Sequence, residues 1–290
     1  MTKQNERLGI LLMIITTIVF ASQDGLSKYL ATEYNVYMVV MMRYWFFAAF
    51  VISVSSQKTG GIKRVAKTKS PILQIFRSLI LVAEMCITIL AFTLLGLAET
   101  HAIFASYPLI IAMLSGPILG EYVGWRRWLA ILIGFGGVVI AINPTGSIAI
   151  ASIYALIGTL MWSTTIIFLR LLGTTEHPVK TVFYFMLVSF ILTSFFQPFL
   201  WKEPSLRVIL LFIGLGVSAF LTQLLMTYAL QKAPASIVSP FNYTGIVWAI
   251  IFDYLIWNSH PIISTIVGGF IITISGIYIF KREAKIKSIK

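Results

Sequence analysis

Residues 8–30 read LGILLMIITTIVFASQDGLSKYL, and residues 149–171 read AIASIYALIGTLMWSTTIIFLRL. Both are unbroken apolar runs, and a helix needs ~20 such residues to cross the hydrocarbon of a bilayer. Barrel strands alternate apolar and polar over ~10 residues, so continuous runs of this length argue against a barrel. Eight further stretches qualify, at 36–55, 72–95, 98–119, 127–143, 181–200, 206–229, 235–257 and 261–280. The connections are short, the longest running from Ser56 to Pro71, and no segment is left over for a soluble domain. The fold class expected is therefore an all-α membrane protein with ten transmembrane helices.

Composition agrees. The chain is 58% hydrophobic and 11% charged, whereas soluble domains run near ~45–50% and ~25%. Little charge and many aromatics exclude disorder. Cys86 is the single cysteine, so an intramolecular disulfide and a Cys-based zinc site fail on count. No P-loop is present, which argues against ATP-driven transport by this chain. No His-Glu-x-x-His occurs, and His101, His177 and His260 all fall near span ends. No metal site and no cofactor are expected.

The net charge of +12 is explained by its placement. With the N-terminus inside, the inner connections and tails collect seventeen of the twenty-two Lys and Arg residues, while Lys28, Lys202 and Arg207 fall outside and Arg43 and Arg77 within spans. Positive charge stays cytoplasmic, so both termini are expected inside a cell inner (plasma) membrane. The excess is topological, with anionic lipid as a second contact, and no nucleic-acid partner is expected. Lys3 and Arg7 before a run through Val19-Phe20-Ala21 resemble a secretory leader. The run continues helically through Lys28, so it is expected to be the first span.

The two opening stretches also match each other. At an offset of 142, Thr17 meets Thr159, Phe20 meets Trp162, Lys28 meets Arg170, Leu30 meets Leu172 and Thr32 meets Thr174; one insertion then sets Glu33 opposite Glu176. Phe92 meets Tyr228 at an offset of 136, and glycine clusters (Gly134, Gly136, Gly137 and Gly268, Gly269, Gly276) mark the last span of each half. Two homologous halves of five spans each must enter the membrane from opposite faces. Two inverted five-helix repeats, residues 1–143 and 144–290, around a central cavity are expected, an architecture suited to alternating access. A duplication that merely built a stable bundle is the alternative.

The chain resembles a known family at several motifs. Pro108-Leu-Ile, Leu119-Gly120-Glu121-Tyr-Val-Gly124-Trp-Arg126-Arg127-Trp128, Gly134-Phe-Gly-Gly137-Val, Pro240-Phe-Asn-Tyr243 and Ser275-Gly276-Ile-Tyr-Ile-Phe-Lys-Arg-Glu283 are similar to EamA-type members of the drug/metabolite transporter superfamily. The resemblance implies a ten-helix inner-membrane carrier of small metabolites, with a cavity built from spans 1, 3, 4, 6, 8 and 9. Relatives carry amino acids, carboxylates, amines, S-adenosylmethionine or riboflavin, and the pattern is most similar to the metabolite or S-adenosylmethionine uptake subset. The second half has Asn258-Ser259-His260 where many relatives repeat the Gly-Glu motif, so a symmetric role for Glu121 is not expected.

Charge in hydrocarbon costs ~2.5–3.5 kcal/mol per residue on insertion scales, so each buried ionisable group invites explanation. Asp24 shares a helical face with Thr17, Phe20 and Ser27. Either it pairs with Lys28 one turn on, or it is a cation site or proton carrier; its repeat partner is Ile166. Glu84 lies mid-span, two turns from Arg77, and is expected to face another partner or the cavity. Arg77 is expected to snorkel inward. Arg43 has Glu33, Asp24 or a lipid phosphate as candidate partners. Asp253 is either a solvated span end or a gate. Trp125, Trp128, Trp201 and Trp257 read as interfacial anchors, whereas Trp162 lies mid-span. Trp162, Tyr107 and Tyr243 suit stacking or cation–π attraction, against plain helix packing as the alternative. Gln223 and Asn242 are mid-span amides that serve either interhelical bonds or substrate. Pro108, Pro117, Pro234 and Pro240 are expected to interrupt spans four and nine.

The expected function is secondary transport of a small polar organic metabolite (an amino acid, amine or related zwitterion such as S-adenosylmethionine) by alternating access, not an enzyme. The expected substrate-binding set is Asp24, Glu84, Tyr107, Trp162, Gln223, Asn242 and Tyr243. Expected partners are the small-molecule substrate, membrane lipids, and a proton or an exchanged solute, in a monomer or a homodimer. An exporter of aromatic or amphiphilic compounds is the alternative, with a membrane-embedded enzyme or scaffold as the rival class.

Overall fold

A computed structural model describes residues 5–58, 68–120, 124–142, 147–173, 178–195, 199, 201–233 and 235–287. The described residues are helical, with no strand among them. In chain order the helices are α1 (Glu6–Glu33), α2 (Val36–Lys58), α3 (Pro71–Leu95), α4 (Leu97–Phe104), α5 (Tyr107–Leu119), α6 (Trp125–Ile142) and α7 (Ser147–Gly173). Then follow α8 (Pro178–Phe195), α9 (Leu206–Lys232), α10 (Ala235–Val238), a 3-10 turn (Ser239–Tyr243), α11 (Thr244–Trp257) and α12 (Ile263–Lys287). Seven stretches among them are long and apolar enough to cross a membrane on those criteria alone; Val36–Ala49 and Lys180–Phe195 are shorter apolar helices.

The helix ends follow local chemistry. The Asn5 side chain accepts from the Leu8 amide at 3.1 Å, satisfying an orphan donor at the start of α1. Pro71 opens α3, where its missing N–H costs nothing. Two spans break in mid-course. Pro108 cannot share a helix with the carbonyl four residues back, which belongs to Phe104, and α4 stops there. Pro240 sits in the 3-10 turn that separates α10 from α11. Pro117, by contrast, lies inside α5 without ending it, so the expected interruption there is absent. Pro234 and Glu121 lie outside the described residues.

Large apolar side chains face outward, while polar and ionisable groups are buried among the apolar core. Ile72, Leu206 and Ile263 expose 76–81% of their surface, whereas Gln23, Asp24, Ser27, Glu84 and Ser163 are buried. An apolar exterior of this extent needs an apolar medium, and the chain is a multi-pass membrane protein. The most extensive helix contacts are α6 with α12, α1 with α9, and α3 with α7. At the first of these the backbones nearly touch. A Cβ on Gly268 would sit 2.5 Å from both the Gly137 carbonyl oxygen and the Ala141 nitrogen, so only glycine lets α6 and α12 approach this closely.

Candidate functional site

The two helix breaks face one space. A cavity of about 180 Å³ lies where α1, the α4–α5 break, α7, α9 and the turn before α11 meet. Thr16, Thr17 and Phe20 line it from α1; His101, Phe104, Ala105 and Tyr107 from the first break; Trp162 from α7. Thr222 and Met226 of α9, with Asn242, Tyr243, Gly245 and Ile246, complete the wall. Breaking a helix here frees backbone from its ladder and turns bulky side chains toward the midpoint of the bundle.

Phe20, Phe104, Tyr107, Trp162 and Tyr243 give the wall its aromatic faces. Phe104 lies 5.8 Å from Tyr107 and 5.9 Å from Trp162 between ring centroids, both pairs tilted. Such faces attract planar groups and cations. Polar atoms stitch the two breaks together across the cavity: the Asn242 amide donates to the Tyr107 hydroxyl at 3.5 Å. The Thr17 and Thr244 hydroxyls meet at 2.8 Å. The Ser163 hydroxyl donates to the Thr159 carbonyl at 2.7 Å and toward the Tyr107 carbonyl at 3.3 Å. The Tyr243 hydroxyl is buried with no partner among the described residues.

One titratable pair sits at the wall. His101 stacks on Phe92 at 5.6 Å, and its Nε2 lies 3.2 Å from Asp24 Oδ2. The contact has ion-pair distance without hydrogen-bond geometry, and both side chains are buried. The imidazole faces the cavity with the carboxylate beside it.

Placement of the expected residues is mixed. Tyr107, Trp162, Asn242 and Tyr243 all line the cavity. Asp24 reaches it through His101 rather than directly. Glu84 does not line it: Oε1 accepts from the Thr88 hydroxyl at 2.8 Å, Oε2 is buried without a partner among the described residues, and the group lies within electrostatic reach of Arg43 and Asp24. The Gln223 side chain lies outside the described residues.

Several of the charge-partner expectations are corrected. Lys28 does not pair with Asp24 on its own helix but with Asp253 of α11, Nζ to Oδ1 at 2.7 Å. Asp253 is accordingly not a solvated span end; it is 1% exposed. The ring of Trp257, expected as an interfacial anchor, lies under the Lys28 ammonium at 4.1 Å. Arg77 is buried rather than snorkelling, with Nε and Nη1 unpartnered among the described residues. Arg43 forms no ion pair with Glu33 or Asp24 among the described residues and directs Nη1 to Met85 Sδ at 3.1 Å. The main omission was His101, set aside because hydropathy places it at a span end. Spacing within its own helix gave no signal of it, because its neighbour Asp24 lies on another helix.

Comparisons with known proteins fit this geometry. The model of the EamA-like transporter family matches twice, over residues 7–143 and 149–281. The S-adenosylmethionine uptake transporter of Rickettsia bellii is 26% identical over 98% of this chain and 97% of its own length. The riboflavin transporter of Vibrio cholerae is 25% identical over 98% and 96%. The pseudopaline exporter of Pseudomonas aeruginosa is 24% identical over 95% and 96%. A solved crystal structure shares the fold with a TM-score of 0.65 over 95% of this chain and 98% of its own, at 14% identity.

Proposed function

The chain belongs to the EamA-like transporter family, and we propose that it carries an amine-bearing or sulfonium-bearing planar metabolite across the cell inner membrane by alternating access. It is a secondary transporter of a small metabolite, not an enzyme. The observation that carries the substrate class is the cavity itself. Aromatic faces from both family matches surround it, and one carboxylate–imidazole pair is its charged feature among the described residues.

S-adenosylmethionine suits such a wall on three counts. Its sulfonium is a cation for the faces of Phe104, Tyr107 and Trp162. Its adenine is a planar group to stack among them. Its amine suits Asp24 beside His101. Asn242 and Tyr243 supply the hydrogen bonds that fix orientation, with Gln223 as a third contact, and Glu84 holds or relays a proton behind Asp24 with a proton or exchanged solute as coupling partner. The uptake relatives in Rickettsia carry that name, while the aromatic wall alone suits a neutral planar solute of the riboflavin kind. A thermal-shift titration separates the two. S-adenosylmethionine is expected to raise the melting temperature saturably, and more than riboflavin does. The reverse order assigns the site to neutral planar compounds.

The architecture proposed is ten spans in two inverted repeats, 1–143 and 144–290, with both termini cytoplasmic. The two family matches support it. So does the contact map, which is preserved when the halves are exchanged: α1–α9 answers to α3–α7, α1–α11 to α5–α7, and α6–α12 to itself. An odd number of spans per half then sets the axis in the membrane plane.

A further inference from the structure

Eight residues beyond the cavity along α1, a second charged cluster joins the two family matches. Lys28 of α1 donates to Asp253 Oδ1 of α11 at 2.7 Å and lies over the Trp257 ring. Asp253 Oδ2 accepts from the Ala98 amide at the start of α4, at 2.8 Å. One carboxylate of the second match is therefore clamped by two donors of the first. Breaking a buried pair by removing one partner strands a charge in a dry site, which is costly.

Glu99 is the fourth member. It feels the charges of both Lys28 and Asp253, and its carboxylate lies within electrostatic reach of the Ile262 backbone amide. Its Oε2 is buried without a hydrogen-bond partner among the described residues. Gly96, at φ +109°, lets the two carboxylates converge: a Cβ there would sit 2.7 Å from Glu99 Oε2 and 3.2 Å from Asp253 Oδ2. Asp24 and His101, one turn away on α1 and α4, face each other rather than this cluster.

The ownership of these groups is the informative point. Lys28 and Glu99 both belong to the first match, whereas Asp253 and the Ile262 amide belong to the second. Separation of the matches at this face removes the partner of Lys28 and the Ile262 amide near Glu99 in one step. We propose that Glu99 is the alternative acceptor for Lys28, so that the ammonium passes from Asp253 to Glu99 when this face opens and returns when it closes. Lys28 and Glu99, left together on the first match, neutralise each other, while Asp253 of the second match turns to the water that enters the opened face. A two-position lysine of this kind is the bistable element alternating access requires. The inference rests on the transport reading above.

The test uses a Gly245→Cys reporter in a Cys86→Ser background. Gly245 lines the cavity and a Cβ there meets nothing within 4 Å. A membrane-impermeant thiol reagent is applied to sealed vesicles from the Trp257 face, identified by a reference cysteine replacing the exposed His260. Glu99→Gln keeps an acceptor oxygen in reach of the Ile262 amide but loses the open-face ion pair, so labelling is expected to fall about tenfold, with Glu99→Asp restoring it. Asp253→Asn weakens the closed pair and is expected to raise labelling by a similar factor. Unchanged or faster labelling in Glu99→Gln overturns the proposal, as does slower labelling in a folded Asp253→Asn. A packing role alone would not move the two rates in opposite directions. Counterflow of S-adenosylmethionine measured on the parent protein reports separately. Its absence counts against the transport reading, whereas counterflow with labelling shifts of the same sign counts against the lysine exchange alone.

Discussion

The two family matches trace similar helical paths but carry different chemistry. Each has a proline-linked break, at Phe104–Tyr107 in the first and at Ser239–Tyr243 in the second, and both breaks open on the same cavity. Buried ionisable side chains, however, concentrate in the first match: Asp24, Lys28, Arg43, Arg77, Glu84, His101 and Arg127, against Asp253 in the second among the described residues. The second contributes aromatic rings, hydroxyls and an amide. Repetition thus supplies the moving frame, because a symmetric frame can exchange the conformations of its parts. Charge recognition need be built only once, and each additional buried charge costs insertion energy.

The strongest challenge to that asymmetry is removal of the charge. Asp24→Asn is expected to lower uptake about 100-fold, since a charged hydrogen-bonding partner is worth about 1.5–3 kcal/mol. Retention of more than half the rate would sever Asp24 from the site. Moving the charge sharpens the comparison. Asp24→Asn with Ile166→Asp places a carboxylate at the equivalent position of the second match, where no His101 waits; uptake is expected to stay at the low level. Rescue would mean that the halves are interchangeable in charge as well as in path.

Smaller effects belong to the uncharged wall. Trp162→Ala is expected to weaken substrate binding about tenfold by thermal-shift titration, with Trp162→Phe keeping most of the affinity because a stacking face persists. Asn242→Ala breaks the bond to Tyr107 and is expected to cost about fivefold in apparent affinity, the weight of one neutral hydrogen bond. Glu84→Gln is expected to leave affinity within twofold while flattening the pH profile of uptake, because Glu84 stands behind the wall rather than in it. A large loss of affinity there would place Glu84 in contact with substrate after all.

Much of the frame was legible because it rests on local physics. Continuous apolar runs fix where helices lie, and Pro108 acts on a carbonyl only four residues away. Pro117 shows the limit: the same residue type near the end of α5 is accommodated, and its outcome depends on surroundings that hydropathy does not encode. The site was half legible. Tyr107, Trp162, Asn242 and Tyr243 stood out as polar-tipped residues in mid-span. Charge partners did not, because helical spacing reveals neighbours on one helix alone. Lys28 lies 225 positions from its true partner, and no pattern within residues 8–30 points to Asp253.

Counterflow in proteoliposomes tests the central claim most directly. Vesicles loaded with unlabelled S-adenosylmethionine and diluted into a trace of labelled compound should accumulate label transiently above equilibrium, and vesicles bearing Asp24→Asn should not. Label that merely equilibrates at one rate in loaded and empty vesicles, with or without the protein, would contradict a carrier built around this cavity.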